Sequence, residues 1–484
     1  MRRAFLSLAA ITSGALVIAG CTIQPTDGPT PSPTASPSDP ASPKPAPLLS
    51  YPDEPSPLWT FSLDQAGIDA GPDAYLTDPA KIRPFGNGIG GSPTPIDAGD
   101  AWITAATGRD ALPTLIGLSP ETGESLWTYQ PEAGRLINCA LTDHALACVV
   151  GHQWGDLDHL RGSGGRTAIV LLDPRTGTQT GGFDLPLRAM TVAATGSDLL
   201  VLMPTDPIDE GGWTGDYRVS RYTTIGDERW STQVTLPADI PGMGYYEYLR
   251  PSSTLLGVGI VGSVWVLDLD DGSVLLEGQG GGLTPTPDGG LFTHFADPNN
   301  LIVTVIAPDG SLVAELPVYA RTRPLVSNDA AAVLMDSDGA LVELDTTTGA
   351  TRSTGLSRPR TDTGHPDRPD AASVIDGTLL VYDVDDGLRG YDLDEPAAPA
   401  WHLPLMRITD EVFTDDALLY AGAIGGANPP GEHSIVAVRI DDGSLLWAYP
   451  ATLHGATTGF DGVLGRAGGH LVVVEGPTMT ALAP

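Results

Sequence analysis

The chain has 484 residues, with Gly 59, Pro 44, aromatic residues at 6% and hydrophobic residues at 41%. This composition supplies enough apolar surface for a core and favours many short strands joined by tight turns. The formal net charge is -35, and Lys44 and Lys81 are the only lysines in the sequence. Such a surface repels phosphate backbones, which excludes nucleic acid as an expected partner, and it keeps an exported protein soluble.

Residues 1–20 have the organisation of a signal peptide. Arg2 and Arg3 precede an uncharged apolar run, residues 4–20, that is too short and too weakly hydrophobic for a comfortable membrane span. The run ends in Ile18-Ala19-Gly20-Cys21, which resembles the lipobox of bacterial lipoproteins. The resemblance implies lipidation of Cys21 and an anchored protein on the extracytoplasmic side of the cell membrane. The two arginines also resemble a twin-arginine signal, so Sec and Tat export both stay open.

Residues 21–56 are predicted to hold the lipidated cysteine and a disordered tether. From Thr22 to about Ser56 the residues are almost wholly Pro, Ser, Thr, Ala and Asp, which leaves too little apolar surface to offset the entropy of an ordered backbone. The alternative is a proline-rich ligand for a partner domain.

One phrase recurs along residues 57–484. It is an alternating apolar strand, a turn that ends in glycine, and a further strand, with copies at Leu115–Gly123, Ile169–Gly177, Val264–Gly272, Leu341–Gly349 and Ile435–Gly443. Alternation lays one face of a strand on a neighbouring sheet, and glycine accepts the positive φ that closes the hairpin. Two more short strands precede each phrase, so the repeat predicts antiparallel units of four strands, the pattern of a propeller blade.

A tryptophan follows the glycine by four residues in three copies, at Trp127, Trp230 and Trp447. A large ring at a fixed place in an outer strand predicts a wedge between adjacent blades. Units end near residues 130, 186, 236, 279, 318, 357, 404 and 450, and residues 463–483 supply three more strands.

The strand Pro57–Ser62 carries a tryptophan with no blade before it, and we expect it to pair with the C-terminal strands and close the ring. With the last three strands and this one counted as a unit, the total reaches about nine, whereas propellers typically have about four to eight blades. The fold class predicted is therefore all-β, a β-propeller of about eight four-stranded antiparallel blades.

The phrase aliphatic-x-Leu-Asp-x-x-Thr-Gly-x-x-x-Trp resembles the pyrroloquinoline-quinone-like repeat of quinoprotein dehydrogenases and BamB-like lipoproteins. For a dehydrogenase the resemblance implies adjacent cysteines, a Ca²⁺ site and a catalytic Asp. The sequence has no adjacent cysteines and no Asp that maps onto that role. Its order of signal, lipidated cysteine, linker and propeller is closer to the BamB-like organisation, and no cofactor is expected.

Cys139 and Cys148 flank a predicted hairpin. If Asp143 and His144 form a two-residue loop, antiparallel pairing places the cysteines opposite each other, where a disulfide is feasible in an oxidising compartment. The alternative is two free buried thiols.

Candidate metal sites have weak sequence support. The turns Asp268–Gly272 and Asp383–Gly387 lack the spacing of an EF-hand and are interpreted as hairpin turns. A loose cluster contains His152, Asp156, Asp158 and His159, and its spacing matches no defined site. Nucleophile-elbow, phosphate-loop and zinc spacings do not occur in the sequence.

The longest predicted connections lie between second and third strands of a unit or between units, and these emerge on one face of a propeller. The connections are 107–113, 152–166, 204–216 and 423–433, with 65–83 and 358–370 between units. Trp154, Asp156, Trp213 and Tyr217 are the candidate binding residues they carry.

The function predicted is that of a monomeric, membrane-anchored, non-catalytic propeller that binds a protein or an envelope component. The alternatives are a quinoprotein-type oxidoreductase, and an extracytoplasmic sensor or glycan-processing protein.

Overall fold

The structure is a computed structural model that describes residues 46–68, 74–82, 94–108, 112–151, 166–205, 215–236, 247–260, 262–286, 289–297, 300–326, 331–359, 367–404, 407–424, 433–451 and 464–484. The chain divides into two units, residues 1–40 and 41–484, and all described residues belong to the second. The described residues are all-β apart from one 3-10 turn at Pro79–Lys81. None of them belongs to a helix with the length and apolar character needed to cross a membrane.

The described residues form 36 strands. Those of the N-terminal half are β1 (Ser56–Ser62), β2 (Tyr75–Thr77), β3 (Ile96–Asp97), β4 (Trp102–Thr107), β5 (Thr114–Leu118), β6 (Ser125–Tyr129), β7 (Arg135–Leu141), β8 (Leu146–Gly151), β9 (Thr167–Leu172), β10 (Gln179–Asp184), β11 (Thr191–Thr195), β12 (Asp198–Pro204), β13 (Asp216–Thr223), β14 (Glu228–Thr235), β15 (Glu247–Pro251), β16 (Leu255–Ile260), β17 (Ser263–Asp268) and β18 (Val274–Thr286). Those of the C-terminal half are β19 (Gly289–Asp297), β20 (Asn300–Ile306), β21 (Leu312–Val318), β22 (Ala320–Arg321), β23 (Ala331–Met335), β24 (Ala340–Asp345), β25 (Thr351–Ser357), β26 (Ala371–Ile375), β27 (Thr378–Asp383), β28 (Gly387–Asp392), β29 (Trp401–Leu403), β30 (Arg407–Thr414), β31 (Leu418–Ile424), β32 (His433–Arg439), β33 (Leu445–Ala451), β34 (Leu464–Ala467), β35 (His470–Glu475) and β36 (Thr478–Ala483).

Consecutive strands pair in antiparallel groups of four. Five such sheets are β7 to β10, β11 to β14, β22 to β25, β26 to β29 and β30 to β33, and a sixth runs β4, β5, β6 with β2 and β3 both paired to β4. Second strands such as β8 and β12 are buried along their whole length, whereas fourth strands such as β10 and β14 expose about every other side chain. The continuous apolar run Leu199–Met203 in β12 follows from this position, because a second strand is covered on both faces.

One long strand belongs to two groups. β18 pairs with β17 through Val274 to Gln279 and with β19 through Gln279 to Thr286, so that β15 to β21 form one seven-stranded sheet. Gly280 and Gly281 have φ of 68° and 82° at the change of partner. Only glycine adopts that conformation without strain, so the two residues let the strand bend from one group into the next.

The predicted pairing between the Trp59 strand and the C-terminal segment is present. β1 pairs antiparallel with β36, with Thr60 opposite Thr480, and their hydroxyl oxygens lie 3.1 Å apart. The sheet runs β34, β35, β36, β1, so its fourth strand comes from the other end of the chain. The pairing makes β36 an inner strand and leaves β1 as the outer strand of this sheet.

Among the described residues, buried hydrophobic side chains form nine clusters. Eight of them join two groups of strands that follow one another in the chain, and the ninth joins the last group to the first. One cluster packs Trp127 of the β4–β6 group against Leu136 of the next group. Another packs Trp59 and Met479 of the last group against Trp102 of the first. The series of contacts therefore returns to the group from which it starts.

The fourth-strand tryptophans act as the predicted wedges. Trp127 donates its indole N–H to the carbonyl of Pro174 at 3.1 Å, and Trp230 donates to the carbonyl of Leu269 at 2.9 Å, each in the next group. The ring lies on the turn glycine of that group, where a Cβ on Gly177 would be 2.6 Å from Trp127. The repeated glycine is therefore required twice, for its φ of 65° and for the space that the ring occupies.

The segment before β1 corrects the predicted boundary at residue 57, because the ordered body begins by residue 46. Tyr51 has no exposed surface, donates its hydroxyl to the carbonyl of Leu482 at 2.9 Å, and accepts at its own carbonyl the indole N–H of Trp447 at 2.7 Å. The indole N–H groups of Trp59, Trp127, Trp230 and Trp401 each donate to a turn between the third and fourth strands of another group. Because β36 and β1 come from opposite chain ends, the residues around Tyr51 supply that acceptor instead.

The hairpin of β7 and β8 has the predicted register. Thr142 donates its backbone N–H to the carbonyl of Ala145 around the two-residue loop, and Cys139 lies opposite Cys148 with 4.1 Å between their Cα atoms. The two sulfurs are bonded at 2.12 Å. A covalent link therefore holds the first two strands of this sheet inside the core, where both cysteines are fully buried.

Candidate binding face

The long connections leave the sheets where the sequence predicts. Residues 108–113, 152–166, 205–215 and 425–432 each join a second strand to a third strand. In an antiparallel group this is the end at which the first strand begins, and it is opposite the turn between third and fourth strands. We call this end of the sheets the loop end.

The predicted site residues fall into two sets. Cys21, Trp154, Asp156 and Trp213 lie outside the described residues, as do His152, Asp158 and His159. Tyr217 is described, and its assignment to a binding loop is wrong. It lies in β13 opposite Pro204, is 2% exposed, and packs with Trp265 in a core cluster. The connection ends one residue before β13, so the side chain belongs to the strand alternation.

The two Asp-rich segments serve as turns. Asp268 accepts backbone N–H groups of Asp270 and Asp271 at 2.7 and 3.3 Å, which is the role predicted for a turn carboxylate. Asp383 forms an ion pair with Arg358 at 2.9 Å. Within the part of the chain that the structure describes, no three His, Cys, Asp or Glu side chains are grouped to hold a metal ion.

Arginines on the first strands form a feature that the sequence interpretation missed. Arg135 begins β7 and lies opposite Gly151, at the base of the connection 152–166, and Arg321 ends β22 opposite Leu334. First strands also carry Arg250, Arg407 and Arg466, and Arg188 lies three residues before β11. The available signal was the repeat of arginine near the start of successive units in a chain with few cations.

Two of these arginines, Arg135 and Arg188, are partly shielded from water. Burial lowers the pKa of Arg135. Burial raises the pKa of the Tyr75 phenol, and the charge of Arg135 partly offsets that rise. The Nε atom of Arg135 is buried with no hydrogen-bond partner among the described residues. Burial also lowers the pKa of Arg188. Cations held in this way favour an approaching anion, because low surrounding polarity strengthens their electrostatic attraction.

No protein-family model matches the chain, and no curated protein matches it. Among solved structures, BamB from Moraxella catarrhalis is similar at 15% identity and a TM-score of 0.42, covering 89% of this chain and 98% of that one. A quinohemoprotein alcohol dehydrogenase from Comamonas testosteroni is similar at 13% identity and 0.41, covering 86% and 77%. The computationally designed protein Ika8 is similar at 12% identity and 0.40, covering 88% and 99%. Likeness at these identities says nothing about ligand or activity.

Proposed function

We propose that this protein is a lipid-anchored, extracytoplasmic and non-catalytic binding protein, whose ligand is a protein or another envelope component. Its body is a closed β-propeller of nine four-stranded blades, one more than the sequence predicts. The observation that supports this most is the set of nine clusters, in which every group packs on the next and the last packs on the first. The long connections at the loop end are then the variable surface that binds the ligand.

The proposed location draws on two features. Ile18-Ala19-Gly20-Cys21 supplies the lipidation signal, and the Cys139–Cys148 disulfide suits an oxidising compartment outside the cytoplasm. The Pro-, Ser- and Thr-rich residues that follow Cys21 act as the tether between anchor and propeller.

The anchor is tested by expressing the full chain in bacteria with an alkyne analogue of palmitate. We expect the wild type to be labelled and to sediment with membranes, and Cys21→Ser to be unlabelled and released. Cys139→Ser is the matched control and should keep the label. Equal labelling of Cys21→Ser and the wild type would contradict lipidation at this residue.

The binding face is tested by a photo-crosslinking amino acid introduced singly at positions 154, 213 and 225 in intact cells. Ile225 is 80% exposed and lies in the turn between β13 and β14, at the opposite end of its sheet from the loop end. We expect positions 154 and 213 to crosslink to one common partner and position 225 not to do so. A partner that crosslinks only at position 225 would refute the assignment of the binding face.

A further inference from the structure

Two of the first-strand arginines lie against the same strand, β18, although their own strands belong to different groups. Arg250 packs on the ring of Tyr248, whose hydroxyl donates to the carbonyl of Gly281 in β18 at 3.4 Å, and Arg321 donates to Thr284 in the same strand. Arg250 is in β15 and Arg321 is in β22, and the group β18 to β21 comes between them in the chain. Burial lowers the pKa of Arg321 to about 10, and the positive charge of Arg250 adds to this effect. With this pKa the guanidinium group of Arg321 remains charged at neutral pH.

The surroundings of this arginine pair are polar but carry no opposite charge. Arg321 Nη1 donates to the hydroxyl oxygens of Thr284 at 2.9 Å and Thr293 at 3.2 Å. The guanidinium carbon of Arg250 lies 4.6 Å from the centre of the Tyr248 ring. Among the described residues, no carboxylate forms an ion pair with either arginine. Within the described residues the remaining N–H donors of Arg321 meet no carboxylate, so they are the groups that a ligand would contact.

Other arginines of this acidic chain have carboxylate partners. Arg218 pairs with Glu228, Arg221 pairs with Asp198 at 2.8 Å, and Arg352 pairs with Glu343 at 2.7 Å. These three arginines lie on the third or fourth strands of their groups. With Asp and Glu at 60 against Lys and Arg at 25, a partner is easily supplied. Two like charges held near each other without such a partner are costly, because they repel each other and because burial removes hydration from Arg321.

We propose that Arg250 and Arg321 form an anion-binding site, with Thr284 and Thr293 orienting Arg321, for a single phosphate or carboxylate group. The proposal deepens the proposed function, since it assigns a chemical class to part of the ligand bound by the propeller. Planar guanidinium groups match such anions through paired N–H donors. The acidity of the whole chain opposes long polyanions and favours a group carrying one or two negative charges.

The site is tested by isothermal titration calorimetry of the purified protein with inorganic phosphate, glycerol phosphate and citrate, at ionic strength matched with sodium chloride. Binding of phosphate alone would indicate a free ion as the ligand. Tighter binding of glycerol phosphate or citrate would indicate an anionic group carried on a larger molecule. We expect Arg250→Gln to weaken binding by about tenfold or more, because a charge-assisted bond is lost.

Arg352→Gln is the control, because it removes an arginine that already has a carboxylate partner, and it should bind like the wild type. Arg321→Gln should abolish binding, and if it does not fold, Arg250→Gln decides alone. No saturable binding by the wild type, or equal binding by Arg250→Gln, would overturn the site. That result would leave the crosslinking and lipidation outcomes unchanged, so the two proposals fail separately.

Discussion

Trp59 joins the last group of strands to the first, so its removal measures how much that contact contributes to stability. It is 7% exposed, its ring centre lies 5.4 Å from that of Trp102, and its indole N–H donates to the carbonyl of Pro120 at 2.8 Å. Truncating a buried tryptophan to alanine costs about 3 to 5 kcal/mol, and the lost hydrogen bond adds about 1 kcal/mol. Trp59→Ala should therefore lower the free energy of unfolding by about 4 to 6 kcal/mol.

The measurement is equilibrium unfolding in urea, followed by far-UV circular dichroism and compared at constant denaturant slope. Trp59→Phe keeps most of the ring and should lose about 1 to 2 kcal/mol. Leu58→Ala, one residue away in the same strand, changes a side chain that is 43% exposed and should cost less than about 0.5 kcal/mol. Equal losses in Trp59→Ala and Leu58→Ala would refute the contact between the two groups.

Three further changes test the turn glycines, the disulfide and the buried phenols. Gly177→Ala should destabilise the protein by about 1 to 3 kcal/mol more than Gly377→Ala, as measured by the midpoints of urea unfolding. Both glycines have positive φ, but only Gly177 is covered by a tryptophan ring. The double variant Cys139→Ala/Cys148→Ala should lose about 2 to 3 kcal/mol of stability, and reduction of the wild type should have the same effect. Burial raises the pKa of Tyr420, so the phenol ionises more easily in the unfolded chain than in the folded one. Stability should therefore fall as pH rises above about 10. In a series of thermal unfolding measurements against pH, Tyr420→Phe should make this fall less steep.

The repeat could be predicted from the sequence because its turn chemistry is local. Asp173 accepts the N–H of Arg175 through its side chain, and Gly177 closes the turn at a φ of 65°, so each turn marks the strands on either side. The predicted end of the unit near 318 coincides with the end of β21 at Val318. Strand positions followed from these signals even where the copies are degenerate.

Features that depend on distant contacts could not be predicted in this way. Tyr51 follows a proline-rich segment, and its burial depends on Trp447 and Leu482 near the other end of the chain. Tyr217 adjoins a long connection, and only the register with Pro204 places it in the core. The arginine pair could not be predicted because the order of the sheets brings Arg250 and Arg321 together and the two residues share no local motif.

The pairing of β1 with β36 is tested most directly by a disulfide between opposed positions, in the double variant Thr60→Cys/Thr480→Cys. Directly opposed residues have Cα atoms about 4.5 to 5.5 Å apart, within the range of a disulfide. We expect quantitative bonding by mass spectrometry and a higher thermal midpoint than in the reduced form. Ser56→Cys/Thr478→Cys lies on the same two strands about six residues out of register, or about 20 Å, and should stay reduced. Free thiols at positions 60 and 480, or bonding in the control instead, would contradict the proposed closure of the propeller through β1 and β36.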